Sequence, residues 1–185
     1  MRIISGFFKG KKILEPVDKA TRPLKDLTKE SIFNIINHSN KFEIDLKNSR
    51  VLDLFSGVGS FGIECLSRGV KQVIFVENYS GVLTVLKKNL YSLKSLNNYD
   101  VFKKDIYNDD LIFESINKFN IIFLDPPYKD KKLFNVLLKI KNLKLLEKNG
   151  IIILHKHKND KGTYPLDFQI IEEKIYGISK IIFLS

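Results

Sequence analysis

The chain of 185 residues has the size of one globular domain, since domains commonly hold about 150 residues. Hydrophobic residues make up 44% and charged residues 28%, a balance that excludes wholesale disorder. The aliphatic runs are too short to span a bilayer, and a single cysteine, Cys65, excludes an intrachain disulfide framework and a cysteine-rich zinc site. No signal-like pattern opens the chain, so we expect a cytoplasm-like, reducing compartment and no membrane partner.

The net charge of +10 is concentrated in two segments. Residues 1–40 carry eight basic and four acidic side chains, and residues 129–161 carry ten and three. Clustered lysine and arginine side chains release counterions from phosphates, so nucleic acid is one interpretation. A solvated basic surface is the other, and composition does not separate the two.

The first forty residues predict a small basic unit. Two short apolar stretches around Gly6 and Gly10 predict a hairpin with basic side chains at its tip. Apolar residues at helical spacing predict an amphipathic helix over Asp26–His38, with Asp26 as its N-cap.

From residue 50 onward, short apolar runs alternate with segments of helical length. The runs predict strands at 51–55, 72–76, near 101–102, 120–124 and 150–154, and the segments between them predict helices near 60–68, 80–93 and 131–147. Residues 168–176 and 179–184 flank Gly177 too closely for a helix and predict an antiparallel pair. The alternation predicts an α/β protein with a parallel sheet covered on both faces.

A glycine-rich turn follows the first of these strands. Gly57 and Gly59 allow the backbone to turn sharply and approach a ligand, and the helix beginning near Ser60 presents unpaired N–H groups. The spacing through Gly62 also matches a dinucleotide fingerprint, so the turn alone does not separate NAD from another nucleotide-like cofactor. Asp53, inside the strand, could meet a cationic or amine-bearing end of that ligand.

Two further acids follow predicted strands. Glu77 ends the second strand, and its two oxygens can accept hydrogen bonds from both hydroxyls of a ribose. Asp105 follows the third strand and could receive an adenine amine, although it shares a polar loop with Asp109 and Asp110. Cys65, on the helix after the glycine turn, is expected to be a buried packing residue without chemistry.

The tetrapeptide Asp125-Pro126-Pro127-Tyr128 directly follows the strand at 120–124. Two prolines remove two backbone donors, so the Asp125 carboxylate and backbone carbonyls form an acceptor-rich site with an aromatic ring beside it. Such a site suits a planar amine on a heterocycle, because accepting its protons directs the nitrogen lone pair at an electrophile. Tyr128 could stack on an unpaired or flipped base.

The segments 53–59 (Asp-x-Phe-x-Gly-x-Gly) and 125–128 (Asp-Pro-Pro-Tyr) resemble the motifs of the class I S-adenosylmethionine-dependent amino-methyltransferases. The N-terminal block at 2–6, 10–12, 22–23 and 26–34 is similar to that of the RsmD-type guanine-N2 methyltransferases of bacterial small-subunit ribosomal RNA. The resemblance covers nearly the whole chain.

This resemblance implies a Rossmann-like fold with a seven-stranded, mostly parallel sheet and an antiparallel C-terminal hairpin. Residues 1–45 would form an RNA-binding hairpin and helix extension, and residues 46–185 the methyltransferase domain. The implied reaction transfers a methyl group from S-adenosylmethionine to the exocyclic N2 of one guanine in 16S ribosomal RNA, within an assembling subunit and without a metal. We expect a monomer in a bacterial cytoplasm or an organelle of bacterial origin.

The resemblance also implies three sets of functional residues. The catalytic set is Asp125, Pro126, Pro127 and Tyr128. The cofactor-binding set is Asp53, Phe55, Ser56, Gly57, Gly59, Glu77, Asp105 and Asp125. The nucleic-acid-binding set is Arg2, Lys9, Lys11, Lys12, Arg22 and Lys29.

The sequence departs from this family in two places. Leu27 and Lys29 stand where the family usually has arginines, which weakens the expectation of bidentate phosphate contacts. His155-Lys156-His157 follows the fifth strand, where family members often carry an acidic residue. Two histidines so spaced can bind a metal, but we interpret the segment as a solvated basic edge.

Three other functions are compatible with parts of the sequence. A methyltransferase of DNA adenine or cytosine would keep the fold and cofactor, but no separate target-recognition domain is visible. A dinucleotide-dependent oxidoreductase leaves the segment 125–128 and the two basic segments unexplained. A catalytically silent RNA-binding assembly factor would keep the basic surface without a cofactor.

Overall fold

A computed structural model describes residues 1–16, 24–94, 96–108, 117–127 and 130–185. Its helices are α1 (Asp26–His38), α2 (Ser60–Ser67), α3 (Ser80–Tyr91) and α4 (Leu133–Asn142), with a short 3₁₀ turn at Leu46–Asn48. Its strands are β1 (Arg50–Leu54), β2 (Gln72–Glu77), β3 (Tyr99–Lys103), β4 (Phe119–Leu124), β5 (Leu146–His157), β6 (Ile170–Tyr176) and β7 (Ser179–Leu184). No helix in these ranges is long and apolar enough to cross a membrane.

The seven strands form one sheet in the order β3-β2-β1-β4-β5-β7-β6. Strands β1 to β5 pair in parallel, and β7 is antiparallel to both of its neighbours. The predicted fold class is therefore confirmed. The chain runs outward from β1 to β3 and then returns to place β4 on the other side of β1, so a topological switch point lies between β1 and β4. In open α/β sheets, ligands bind in the crevice at the carboxyl ends of the strands beside such a point.

Alternate residues of each strand enter two separate cores, because successive side chains of a strand point to opposite faces. One face includes Val51, Phe75 and Phe123 and packs against α1, α2 and α3. The other includes Leu52 and Ile122 and packs against α4. Because both faces are covered, the central strands are apolar at nearly every position, which is why they are legible in the sequence.

The N-terminal extension is part of the first core. Ile3 and Phe33 are fully buried in it, and the Phe33 ring stacks on Phe61 of α2 at a centroid distance of 5.4 Å. Phe61 in turn stacks on Phe123 of β4 at 4.0 Å. The described part of the extension therefore shares one core with α2 and the sheet, and the boundary between the two predicted units remains a prediction.

Three details differ from the sequence predictions. Asp26 is the first residue of α1 and Lys25 is its N-cap, because the Asp26 carboxylate accepts the Arg2 N–H instead of capping its own helix. The predicted hairpin contains a single antiparallel bridge, between Arg2 and Lys12, and only Lys9 of the basic residues lies in its turn.

The third difference is at the end of α4, where the helix predicted over 131–147 stops at Asn142. Lys144 adopts a left-handed conformation (φ 50°), which ends the helix, and β5 starts at Leu146. Non-glycine residues seldom adopt this conformation, so the sequence offers no warning of the break.

Candidate active site at the carboxyl edge of the sheet

Four candidate residues lie at or just after the carboxyl ends of neighbouring strands, at one edge of the sheet. Asp53 lies near the end of β1, Glu77 ends β2, Asp105 follows β3 and Asp125 follows β4. Because these four strands are adjacent and parallel, the predicted cofactor and amine sites come together at the switch point.

The turn after β1 is tightly built. Gly57 and Gly59 have positive φ angles of 55° and 85°, and Phe55 has a φ of 58°. The Ser56 hydroxyl lies 2.6 Å from the Asp53 carbonyl oxygen and 3.1 Å from the Val76 carbonyl oxygen, so Ser56 pins the turn to β2. A Cβ at Gly59 would lie 2.4 Å from the Leu86 side chain, so this glycine allows α3 to pack close to the turn.

Glu77 organises the backbone of the same region. Its Oε2 accepts the Gly57 N–H at 2.8 Å, and its Oε1 accepts the N–H groups of Asn78 and Tyr79 at 2.9 and 2.8 Å. The residue is 8% exposed. A carboxylate offers about four acceptor positions, so Oε2 retains capacity for a ligand hydroxyl. Glu77 thus links the glycine turn to the end of β2, where a ribose contact is predicted.

Asp53 lies beneath the turn, out of reach of solvent, and this differs from the predicted direct contact with a ligand. It is 1% exposed, and its Oδ2 accepts the Gly62 N–H at 3.0 Å. Burial raises the pKa of Asp53 well above its usual range, and the nearby carboxylates of Asp125 and Glu77 raise it further. Asp53 therefore holds the start of α2 against β1 below the site.

Asp105 and Phe55 lie at the β3 side of the site. Asp105 accepts the Tyr107 N–H at 2.9 Å and the Asn108 amide at 2.7 Å. The Phe55 ring packs against the Tyr107 ring at a centroid distance of 5.6 Å. Both residues are half-buried at the strand ends, and the adenine contact predicted for Asp105 stays a prediction.

Asp125 belongs to a hydrogen-bonded chain of three side chains. Its Oδ1 lies 2.9 Å from Nδ1 of His155 on β5, and Nε2 of His155 lies 2.9 Å from Oγ of Ser179 on β7. His155 is 1% exposed and Lys156 is 2% exposed. The interpretation of this segment as a solvated basic edge is therefore wrong, because β5 is an interior strand between β4 and β7 and Lys156 is buried in an ion pair with Asp160 at 3.0 Å.

His155 and Ser179 are the site residues that the sequence did not identify. The only signal was the position of His155 at the end of a buried strand. Its contact with Asp125 joins residues thirty positions apart in the chain, and only the sheet order brings them together.

The rest of the catalytic set is partly described. Pro126 is buried and Pro127 is exposed at the mouth of the loop. Tyr128, predicted to stack on a base, lies outside the described residues, as does Arg22 of the nucleic-acid-binding set.

The predicted nucleic-acid contacts fall into two groups. Arg2, Lys9 and Lys12 are exposed, and Lys11 is half-buried with its ammonium group against the Ser92 carbonyl. Lys29 is fully buried, with Nζ 2.7 Å from the Arg2 carbonyl oxygen.

The prediction that Lys29 contacts RNA is wrong, because its ammonium group is enclosed between α1 and α2. It lies 3.5 Å from a Glu64 carboxylate oxygen and 3.4 Å from the Ser60 hydroxyl. Lys29 is therefore an internal ion-pair partner of Glu64.

Glu64 of α2 receives the N-terminal turn. Its carboxylate accepts the N–H groups of Ile4 and Ser5 at 2.8 and 2.9 Å, and Arg68 Nε lies 2.9 Å away. Glu64 is fully buried, so this network fixes the basic extension to the helix that follows the glycine turn.

Within the described ranges, no group of three or more His, Cys, Asp or Glu side chains is placed to hold a metal ion.

Known proteins share both the sequence and the fold. YlbH of Bacillus subtilis is 34% identical over 185 residues, covering 98% of this chain and 96% of its own. Ribosomal RNA small subunit methyltransferase D of Haemophilus influenzae is 31% identical over 181 residues, covering 96% and 90%. The solved structure of yhhF from Escherichia coli superposes with a TM-score of 0.80 at 27% identity, covering 100% of this chain and 96% of that one.

The strand order, the antiparallel β7 and the acids at the carboxyl edge define the Rossmann-like fold of the class I methyltransferases. The model of one family, conserved hypothetical protein 95, matches residues 1–185. The chain belongs to this family, the RsmD-type methyltransferases.

Proposed function

We propose that this protein transfers a methyl group from S-adenosylmethionine to the exocyclic N2 of a guanine in small-subunit ribosomal RNA, in the cytoplasm of a bacterial-type cell. The observation that carries the proposal is the placement of Asp125 at the end of β4, directly beside the glycine turn of β1. An acceptor for an amine and a turn for a nucleotide-like cofactor thus share one crevice. The name of the Haemophilus influenzae relative, a small-subunit ribosomal RNA methyltransferase, supports this class of substrate.

The acceptor groups of the crevice fit S-adenosylmethionine. Glu77 and Asp125 place two carboxylates at the ends of β2 and β4, on either side of the glycine turn of β1. Such carboxylates attract a cation, and the sulfonium of the cofactor is one. Glu77 offers acceptors for ribose hydroxyls, and Gly57 presents a turn without a side chain.

Bound S-adenosylmethionine supplies an electrophilic methyl group, whose transfer converts the sulfonium into a neutral thioether. Asp125 accepts a hydrogen bond from the N2 amine and orients the nitrogen lone pair toward that methyl group. As the N–CH₃ bond forms, the nitrogen loses one proton, which passes to the Asp125 carboxylate and then to water. Orientation and charge placement supply the acceleration, and Tyr128 is assigned the stacking of the base.

The proposal is tested by incubating the purified protein with methyl-labelled S-adenosylmethionine and small ribosomal subunits from a strain that lacks this modification. The RNA is then digested to nucleosides. Label in N2-methylguanosine is the expected result. Label in methyladenosine or methylcytidine refutes the guanine assignment, and no label despite binding of S-adenosylhomocysteine refutes methyl transfer to this RNA. Naked 16S RNA, assayed in parallel, separates an RNA substrate from an assembled one.

Asp125→Ala is expected to lower kcat by at least about 100-fold, because the amine loses its acceptor. The dissociation constant of S-adenosylhomocysteine, measured by calorimetry, should change less than about threefold, which is under 1 kcal/mol. Asp100→Ala removes an exposed carboxylate from β3 and serves as the control. Equal loss of cofactor binding and transfer in Asp125→Ala would contradict the role in binding the amine.

A further inference from the structure

The buried imidazole of His155 lies between the carboxylate of Asp125, which is predicted to be catalytic, and the hydroxyl of Ser179 on β7. Its two ring nitrogens are each 2.9 Å from a partner, Asp125 Oδ1 on one side and Ser179 Oγ on the other. The side chain of His155 is 2% exposed and that of Asp125 is 15% exposed. The carboxylate therefore faces the crevice, and the imidazole lies behind it, away from any substrate.

Sheet register explains why the three side chains meet. Leu124 of β4 pairs with Leu154 of β5, so Asp125 and His155 continue the same register side by side. His157 of β5 pairs with Ser179 of β7, so Ser179 is the diagonal neighbour of His155 on the same face. His155 and Ser179 stand on paired strands, and Asp125 directly follows β4, so all three are held by the rigid part of the fold.

The chemistry of the contacts fixes the direction of the hydrogen bonds. An ionised carboxylate only accepts, so Nδ1 of His155 carries the proton that is donated to Asp125. In the neutral ring Nε2 then accepts from the Ser179 hydroxyl. The Asp125 carboxylate thus selects the tautomer in which Nδ1 is the donor, and the Ser179 hydroxyl completes it by donating to Nε2.

We propose that His155 is a positioning residue for methyl transfer, which holds the Asp125 carboxylate in one rotamer, and that Ser179 holds His155. The inference rests on the proposed function, since it assigns to Asp125 the task of accepting from the target amine. A carboxylate at position 155 would repel Asp125, whereas the imidazole supplies a hydrogen-bond donor.

Two substitutions separate this role from simple packing. His155→Asn keeps an amide nitrogen near the position of Nδ1 and can still donate to Asp125. His155→Gln places its amide near Nε2 and loses that donor. His157→Ala removes a histidine two positions along the same strand and serves as the control.

The expected result is a split between kcat and binding. His155→Gln should lower kcat by roughly 10-fold or more, because misplaced reacting groups are slow to reach the reactive geometry. His155→Asn should retain kcat within about threefold, and Ser179→Ala should lie between the two. The KM for RNA and the dissociation constant of S-adenosylhomocysteine should stay within about twofold in all of them. Equal losses in the Asn and Gln variants, or a loss carried by KM alone, would overturn the proposal.

A nitrogen NMR spectrum of the imidazole gives a readout that needs no substrate. Nδ1 of His155 is expected to be protonated in the wild-type protein, and a ring protonated at Nε2 alone would overturn the inference. If the wild-type protein methylates a base other than guanine, the guanine assignment fails while the variant ratios still test His155. If it methylates no RNA, the proposed function fails. The spectrum then still tests whether Nδ1 of His155 donates a hydrogen bond to Asp125, on which the positioning role depends.

Discussion

At the scale of single residues, Glu77 combines a structural and a binding role. It accepts three backbone N–H groups, from Gly57, Asn78 and Tyr79, and its carboxylate is expected to accept from the cofactor ribose as well. We predict that Glu77→Gln raises the dissociation constant of S-adenosylhomocysteine by about 10-fold or more, since hydrogen bonds to charged groups contribute about 1.5–3 kcal/mol. Calorimetric titration measures this, with Glu173→Gln on β6 as the control. Unchanged affinity would contradict the ribose assignment.

Lys29 is a fully buried lysine of α1. Burial lowers its pKa from the usual 10.5, and the carboxylates of Glu64 and Asp26 offset only part of this effect. In the pH range between the folded and the unfolded pKa values, the unfolded chain holds a proton that the folded protein has released. Stability therefore rises as the pH increases toward 10.5.

We predict that the free energy of unfolding of the wild-type protein increases relative to that of Lys29→Met as the pH rises toward 10.5, the usual pKa of a lysine. Methionine fills a similar volume without a charge, so the difference between the two proteins isolates the titration of Lys29. Urea denaturation at several pH values measures it. Two parallel stability curves would show that Lys29 does not titrate in this range.

At the scale of elements, the attachment of the N-terminal turn to α2 depends on a glycine, Gly6, which approaches the backbone of α2 closely because it has no Cβ atom. A Cβ at Gly6 would lie 1.8 Å from the Ser67 carbonyl oxygen, while a Cβ at Gly10 would meet nothing within 4 Å. Both glycines have nearly the same positive φ, 85° and 84°. Gly10→Ala therefore carries the backbone strain of Gly6→Ala without its clash.

We predict that Gly10→Ala lowers the free energy of unfolding by about 1 kcal/mol, the cost of a left-handed alanine. Gly6→Ala should lower the free energy of unfolding by about 3 kcal/mol or more, because the added Cβ forces the turn away from α2. Chemical denaturation compares the two variants. Equal losses would mean that the contact of Gly6 with Ser67 does not hold the extension.

The elements also show what a sequence can and cannot reveal. Strands β1 and β4 are predictable because their residues are buried on both faces and form unbroken apolar runs. The end of α4 is not, since Leu143, Leu145 and Leu146 continue an apolar pattern and a lysine takes the left-handed position. The contacts of Lys29 with Glu64 and of His155 with Asp125 join residues thirty or more positions apart in sequence, which no local pattern contains.

At the scale of the whole molecule, the basic charge lies at more than one place. The hairpin lysines Lys9 and Lys12 are on the face that packs α1 and α2. Lys144 and Lys148 lie where α4 ends and β5 begins, at the amino edge of the parallel strands. That edge is opposite to the predicted active site. Comparing the two pairs of lysines therefore distinguishes direct contact of the hairpin with RNA from a general effect of net charge on RNA binding.

We predict that replacing Lys9 and Lys12 with glutamine raises the KM for RNA by about 10-fold and lowers the slope of log affinity against log salt by about one for each lost phosphate contact. Replacing Lys144 and Lys148 with glutamine removes the same charge and should leave both quantities nearly unchanged. Filter binding over a range of salt concentrations measures them. Equal effects of the two double substitutions would mean that net charge, and not the hairpin, binds the RNA.

The contacts of the N-terminal turn with α2 and α3 also determine when the turn can form during synthesis. Ile4 and Ser5 bind Glu64, and Leu14 binds Asn89, across separations of 59 to 75 positions along the chain. A nascent hairpin has none of these partners until α2 and α3 have left the ribosome, and closing such long loops slows folding. The basic extension therefore precedes its partners in synthesis, so a polypeptide stalled before α2 would present its lysines on a segment that lacks these contacts.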